Sequence, residues 1–598
     1  MVNLKDALEK AFLEAGKSLA EPENISPGRV VMVQGAKGQA HQVTVKYGKA
    51  IGHKPNPPKS RVDKAIKTGE NKTRPVAQIV IQPAPPETSK PLAREIKTNT
   101  KQPVENVQVL PPQPAKVTIK ADAKYWATDT ETISSVSLLS LDLSIGCKDS
   151  DRKLVKPEVH DMALGLDFGT SSVKVVIGDL SSGKSYAVPF LNSNGLDAYL
   201  LPSRIYESNT HAHATHGFNL EAGELAFRDL KLSLLANPDS IDRQVEVIAF
   251  LSLVIKRARA WFFHKHQSIY KRVKCIWQLR IGLPAASALD NKFAPLWEGA
   301  LRAAWQLASH EGDLTRAHAL KIRDQIFSDN PITYDLEVQV IPEIAAQIFG
   351  FVISSSFDKK AANRFLMVDV GAGTVDASLF KVFPGRGGQW NFEFYTAVVQ
   401  PYGVANLHAH RVDWWLRNLD GNESAHALMN ELRSNKFVTD FSSTLPEKNS
   451  SYFSGIHSNF DDPDKADAEF FDKKLMSQVQ GSTLWRAVHD DFLTKADLKD
   501  IPMFLCGGGS RSAFYLNLEN KLQRMPGFSW LSTEAWQLVF PPDLEAENVA
   551  EVDFDRLSVA YGLSKVNVGQ ITQALPMPKV PIVLQNSFTD RYVDKDQT

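Results

Sequence analysis

Two stretches of the chain, "LDFGTSSVKVVI" at 166–177 and "VDVGAGTVDASL" at 368–379, superpose without a gap. Each has an apolar run, an Asp, one apolar residue, a Gly, a small polar turn, a Val and a second apolar run. The pattern reads as two strands joined by a tight turn, with an acid at the mouth of the turn. Burying an ionised carboxylate beside such strands is costly unless a cation or hydrogen-bond donors meet it. Copies about two hundred residues apart imply two similar halves, each contributing one hairpin. Two facing hairpins make a cleft, and clefts between halves are where ligands bind.

The residue types in the turns fit one class of ligand. Gly169-Thr170-Ser171-Ser172 and Gly371-Ala372-Gly373-Thr374 can turn consecutive backbone N–H groups inward to cradle phosphate oxygens, since little side chain blocks the approach. The hydroxyls of Thr170 and Thr374 can add bonds to phosphate or to an attacking water. Phosphate would repel the acids unless a cation intervened. Asp167 and Asp369 are therefore expected to hold Mg²⁺, directly or through its waters, and Asp376 to serve the same metal or orient water.

With these residues in view, the chain resembles the actin/Hsp70/sugar-kinase superfamily. "ALGLDFGTSSVKVVIGD", "FLMVDVGAGTVDASLF" and "IPMFLCGGGSRSAFYLNLENKL" (501–522) resemble its phosphate-1, phosphate-2 and adenosine motifs, in that order. Within it Hsp70 is the nearest likeness. "VQVIPEIAAQIFGF" (338–351), "LRIGLPAASALDNKF" (279–293), "RLSVAYGLS" (556–564) and "AFRDLKLSLL" (226–235) resemble its connecting segments. The likeness covers roughly 162–566 and implies an α/β, two-lobed actin-like (ribonuclease H-like) ATPase fold that binds ATP or ADP with Mg.

The resemblance also implies roles. Asp167, Gly169, Thr170 and Ser171 match the first phosphate loop, and Asp369, Gly371, Ala372, Gly373, Thr374 and Asp376 the second. Lys231 matches the catalytic lysine, with Arg228 as a stand-in. Pro284 matches the hinge proline, and Glu343 the acid near the attacking water. Gly507, Gly508 and Arg511 match the adenosine turn, where the arginine stacks on the purine. Ala372 and Gly509 depart from the family, standing for a glycine and a hydroxyl residue. The helix supplying the other adenosine contacts is not identified within 416–500.

Around this core, residues 1–20 carry apolar residues at helical spacing and read as an amphipathic helix. Residues 21–116 are Pro- and Lys-rich and expected to be mostly disordered. Residues 117–160 alternate enough for a small β element, 161–566 read as the nucleotide-binding domain, and 567–598 as a short tail. The tail is too short for the peptide-binding domain that Hsp70 chaperones append.

The 68 basic and 68 acidic residues cancel, which removes any overall pull toward nucleic acid. The first 125 residues hold about 21 basic against about 11 acidic ones. They lack interleaved aromatics, so specific nucleic-acid binding is not expected. Cys147, Cys275 and Cys506 form no zinc spacing, and Cys275 reads as buried and inert. The histidines of "HAHATH" (211–216) and "HAHR" (408–411) lack a ligand set. Trp414 and Trp415 read as core, and the acidic stretch 457–474 as solvated surface. No span, signal peptide or membrane contact is expected, which favours a cytoplasmic protein.

The expected function is an Hsp70-like ATP-driven switch, chaperone-like or regulatory, working through partner proteins, with the N-terminal extension as a candidate docking element. The alternatives are an actin-like filament protein and a non-hydrolysing nucleotide-sensing adaptor.

Overall fold

The computed structural model describes residues 30–34, 40–44, 117–125, 137–147, 157–210, 215–290, 292–328, 336–421, 425–436, 445–458, 462–523, 528–565 and 568–575. The chain divides into two units, Ala20–Gln113 and the remainder. In the smaller unit Val30–Gln34 pairs antiparallel with Ala40–Thr44, inside the stretch expected to be mostly disordered. The amphipathic helix expected over 1–20 lies outside the described residues.

In the larger unit the described residues form two main sheets, of seven and six strands. The first sheet contains β1 (Glu158–Phe168), β2 (Ser172–Asp179), β3 (Ser185–Ala187), β4 (Val273–Leu283) and β5 (Glu337–Pro342). The second contains β6 (Arg364–Val370), β7 (Val375–Pro384), β8 (Trp390–Gln400), β9 (Ile501–Cys506) and β10 (Thr533–Trp536). Later in the chain β11 (Leu544–Glu545) returns to the first sheet and β12 (Val568–Gln573) to the second.

The orders are β5-β4-β1-β2-β3-β11 and β10-β9-β6-β7-β8-β12, with Leu201–Pro202 also pairing β2. From the first neighbour to the last, pairing in each sheet runs parallel, parallel, antiparallel, antiparallel, parallel. The duplicated motif is thus one hairpin of a duplicated topology. Its strands read as unbroken apolar runs because they are covered on both faces: β2 is buried at every position.

Helices complete the layers. Helix α1 (Leu230–Ala236), α2 (Ile241–Lys265), α3 (Ala285–Ala288) and α4 (Phe293–Ala308) follow strands of the first half. Val247, Phe250, Leu251 and Val254 of α2 and Trp297 and Leu301 of α4 share one core with Leu164, Leu166 and Val175. The second sheet has its own core, where Val368, Leu379 and Met503 meet Leu475, Val479, Tyr515 and Leu518.

Two further helices lie between the sheets. Helix α5 (Glu343–Val352) packs Ile344, Ile348 and Phe351 with Phe365, Met367 and Phe504 of the second sheet. Helix α6 (Val404–Leu419) and α7 (Ala513–Gln523) frame the second half, and α8 (Ser558–Lys565) lies on the first sheet. Glycines permit that approach: a Cβ on Gly165 would sit 2.5 Å from Ala560 O, and one on Gly178 2.3 Å from Ser564 O. α8 meets α5 at Gly562, where an added Cβ would lie 1.8 Å from Ala346 O. Gly562→Ala is therefore expected to cost about 1–3 kcal/mol, the usual range for overpacking a tight core, read as a lower denaturation midpoint in urea.

Several expectations shift. Val117–Tyr125 forms no local β element; it pairs antiparallel with Phe453–Ser458, more than three hundred residues away. Residues 137–147 instead bridge Leu138 to Leu191 and form a helical turn, Ser144–Cys147, against α2. Val568–Gln573, expected in the tail, completes the second sheet beside β8. In the acidic stretch 457–474 the expected solvated surface holds for Asp462, Glu469 and Asp472, which are exposed, whereas Phe470 and Phe471 are core and Asp467 binds the buried Arg411. Trp414 and Trp415 are buried as expected, whereas Cys275 is half-buried. No helix among the described residues is long and apolar enough to cross a membrane.

Candidate functional site

The two hairpins end in matching turns. Gly169 N–H donates to Ser172 O at 3.1 Å, and Gly371 N–H to Thr374 O at 2.9 Å. The carbonyls of both turns are held from behind. Ser203 donates from Oγ to Gly169 O and from its backbone to Ser171 O. The start of α6 does the same for the second turn: Val404 and Ala405 N–H reach Gly371 O and Ala372 O, and Asn406 Nδ2 reaches Gly373 O. Because C=O and the following N–H of a trans peptide point in opposite directions, the N–H groups of Thr170 and Ala372 face the other side. There both residues line a cavity of about 1050 Å³.

Ala372 has no positive φ, so its methyl replaces glycine without the strain of a left-handed backbone. Gly373 does not line the cavity; it packs against the first half, where its Cβ would meet Leu232 Cδ1 at 2.9 Å and Thr170 Oγ1 at 3.5 Å. The turns are thus in near contact. Every other residue predicted for the site, Pro284 included, lies on the cavity wall: Asp167, Gly169, Thr170, Ser171, Lys231, Glu343, Asp369, Gly371, Ala372, Thr374, Asp376, Gly507, Gly508 and Arg511. Arg228, the stand-in for Lys231, does not.

Charge is concentrated at the hairpin end. Asp167 faces Lys174 across the β1–β2 ladder, with Oδ2 and Nζ 3.0 Å apart. In the β6–β7 ladder the same register sets Asp369 opposite Asp376, a like-charge pair that destabilises unless compensated. Lys231 of α1 donates to Glu343 at the start of α5. Asp369 accepts from Gln347 Nε2 at 2.9 Å. Asp376 accepts from Ser378 Oγ at 2.9 Å and from Ala285 N–H at 2.8 Å. That last bond crosses from the second half to the residue after Pro284 in the first.

Burial and then mutual repulsion raise these acids. Desolvation, reinforced by Glu343, Asp167 and Asp376, pushes Asp369 up to about 7. Asp376 is likewise raised to about 7 by burial, against the pull of its Ala285 and Ser378 hydrogen bonds. Burial also raises Glu343, with Lys231 opposing. A carboxyl whose folded value exceeds its ordinary one near about 4 binds more protons folded than unfolded. Its stabilising contribution is complete below that ordinary value and lost as pH rises through about 7. Ligand-free protein is therefore expected to melt lower at pH 8 than at pH 6, and Asp376→Asn to narrow the gap in paired thermal scans.

No group of three or more His, Cys, Asp or Glu side chains among the described residues converges as a metal cage. The residues still fit Mg²⁺, which keeps several waters and is usually held by one or two carboxylates plus substrate phosphates. At the hairpin end four carboxylates, Asp167, Glu343, Asp369 and Asp376, stand against the two ammonium groups of Lys174 and Lys231. The excess negative charge that raises Asp369 and Asp376 is what a divalent cation offsets. His408 stacks on Tyr452 and bonds its hydroxyl, which is no metal ligation; 211–214 lie outside the described residues.

Sequence reasoning missed Lys174, Gln347, Arg556 and the rim segment Leu445–Glu447, all on the cavity wall. Lys174 and Gln347 were within reach of it. A lysine inside the buried strand "SVKVVI" needs a partner, and Gln347 lies one helical turn beyond Glu343, on the same face. The rim is held by Arg411, which binds Asp467 at 2.6 and 2.9 Å and donates to Pro446 O and Glu447 O. Comparison of the sequence with protein-family models and with curated proteins found no match.

Proposed function

We propose that this chain is a Mg²⁺-dependent ATP-binding and ATP-hydrolysing protein with a two-lobed, actin-like fold, closest in kind to the Hsp70 ATPase domain. It acts as a nucleotide-driven conformational switch that works through partner proteins. One observation carries the reading: two sheets of identical strand order aim their acidic, glycine-turned hairpins at one cavity. Clefts lined in this way, with convergent polar groups and perturbed acids, are the expected site of a ligand and of chemistry.

In mechanism, the N–H groups of Thr170 and Ala372 and the hydroxyls of Thr170 and Thr374 bind phosphate oxygens. Lys231 and Lys174 neutralise charge that grows on the terminal phosphoryl group. Glu343 and Asp376, both raised by burial, orient the attacking water and accept its proton. Mg²⁺, held by Asp167 and Asp369, would supply the remaining charge neutralisation at the phosphates. The Asp376–Ala285 bond ties the proton acceptor to the opposite half, so that relative motion of the halves and chemistry are linked.

The test is phosphate release by the full chain with ATP. Turnover that needs Mg²⁺ and stops with a chelator supports the reading; no release above buffer at any Mg²⁺ concentration removes hydrolysis from it.

A further inference from the structure

Three of the cations on the cavity wall have carboxylate partners. Lys174 has Asp167, Lys231 has Glu343, and Arg511 has both Asp553 and Asp555, each at 2.6 Å. Arg511 is the residue expected to stack on the purine. Its guanidinium is half-exposed and paired through its N–H groups with two acids.

Arg556 differs. It lines the same cavity, and no hydrogen-bond or ion-pair partner meets it among the described residues. Its guanidinium lies against the glycine turn: a Cβ on Gly508 would come within 2.7 Å of Nη1 and 2.9 Å of Cζ. Glycine at 508 is thus what leaves the arginine its place. Burial lowers its pKa, while Asp555, Asp167 and Asp369 act on it from a distance. It therefore stands between the acidic hairpin end and the Gly507–Gly509 turn. Its half-buried guanidinium thus faces the cavity without a carboxylate partner, and its planar fork matches a phosphate group with two parallel N–H donors.

We propose that Arg556 binds the inner phosphates of the nucleotide, between the metal-binding hairpins and the base, and so sets the preference of the site for nucleoside diphosphates and triphosphates over the nucleoside. The inference rests on the nucleotide reading above. Arg556 is a specificity determinant there; Arg511 is a structural tie between the glycine turn and the segment Asp553–Asp555.

The experiment is calorimetric titration of the full chain and of Arg556→Ala and Arg556→Lys with ADP, AMP and adenosine, Mg²⁺ present. Arg556→Ala is expected to weaken ADP by about 10- to 100-fold, the scale of one charge-assisted pair. Adenosine affinity should stay within about twofold, which also reports an intact fold, and Arg556→Lys should recover part of the loss. Unchanged ADP affinity in Arg556→Ala, or equal losses for ADP and adenosine, overturns the proposal while leaving nucleotide binding in place. Wild-type protein silent toward all three ligands overturns the nucleotide reading and this proposal together.

Discussion

Asp369→Asn is expected to lower ATP turnover by about 100-fold or more, the scale of losing one preorganised charge at a reacting phosphate. The substitution is close to isosteric. The amide keeps an oxygen for Gln347 Nε2 and fits beside Gly507 as the acid does. What disappears is the negative charge. Without ligand that charge is a liability, because Asp369 faces Asp376 across the ladder and both are raised to about 7. The variant should therefore melt at or above the wild type at pH 8 while losing activity, a combination that a merely structural residue would not give. Lys231→Ala should lose activity on a similar scale, but it also strips Glu343 of its partner and leaves a buried acid uncompensated. Turnover is read by phosphate release; unchanged rates in both variants would remove the site assignment.

The second large effect is expected at Gly507. Its φ of 84° and ψ of 165° lie in a backbone region essentially reserved for glycine, which costs any other residue about 1–3 kcal/mol. An added Cβ would lie 2.2 Å from Asp369 Oδ1 and 2.6 Å from Val370 O, adding the overpacking cost of about 1–3 kcal/mol. Gly507→Ala should thus lose about 3 kcal/mol of stability in urea titrations and push the Asp369 carboxylate out of place. Nucleotide-dependent thermal stabilisation should vanish with it. Gly183, whose φ is 79° with nothing within 4 Å of an added Cβ, serves as the control: Gly183→Ala carries the backbone cost alone and should leave ligand effects intact.

What could be read from the sequence was the part fixed locally. The acid-X-Gly turns needed only their own residues, and their duplication carried over to two sheets of one strand order. Lys231 was placed by a short match, and the structure sets it on Glu343. Long-range pairing was not legible. The edge strand Val568–Gln573, "VGQITQ", has too few apolar positions to announce itself, and Val117–Tyr125 finds its partner at Phe453–Ser458. The acidic stretch looked solvated because no local signal shows Asp467 meeting Arg411, 56 positions earlier. The same limit hid the ion pairs of Arg511: no local signal shows that Asp553 and Asp555, more than forty positions later, meet it.

The most direct measurement is titration calorimetry of the purified full chain with ADP, once with Mg²⁺ and once with a chelator. A single binding event that is strong with Mg²⁺ and at least about tenfold weaker without it is the predicted result, because the acids of both hairpins need the cation to share a site with phosphate. Absence of heat at saturating nucleotide with Mg²⁺, or equal affinity in the two buffers, would contradict the account.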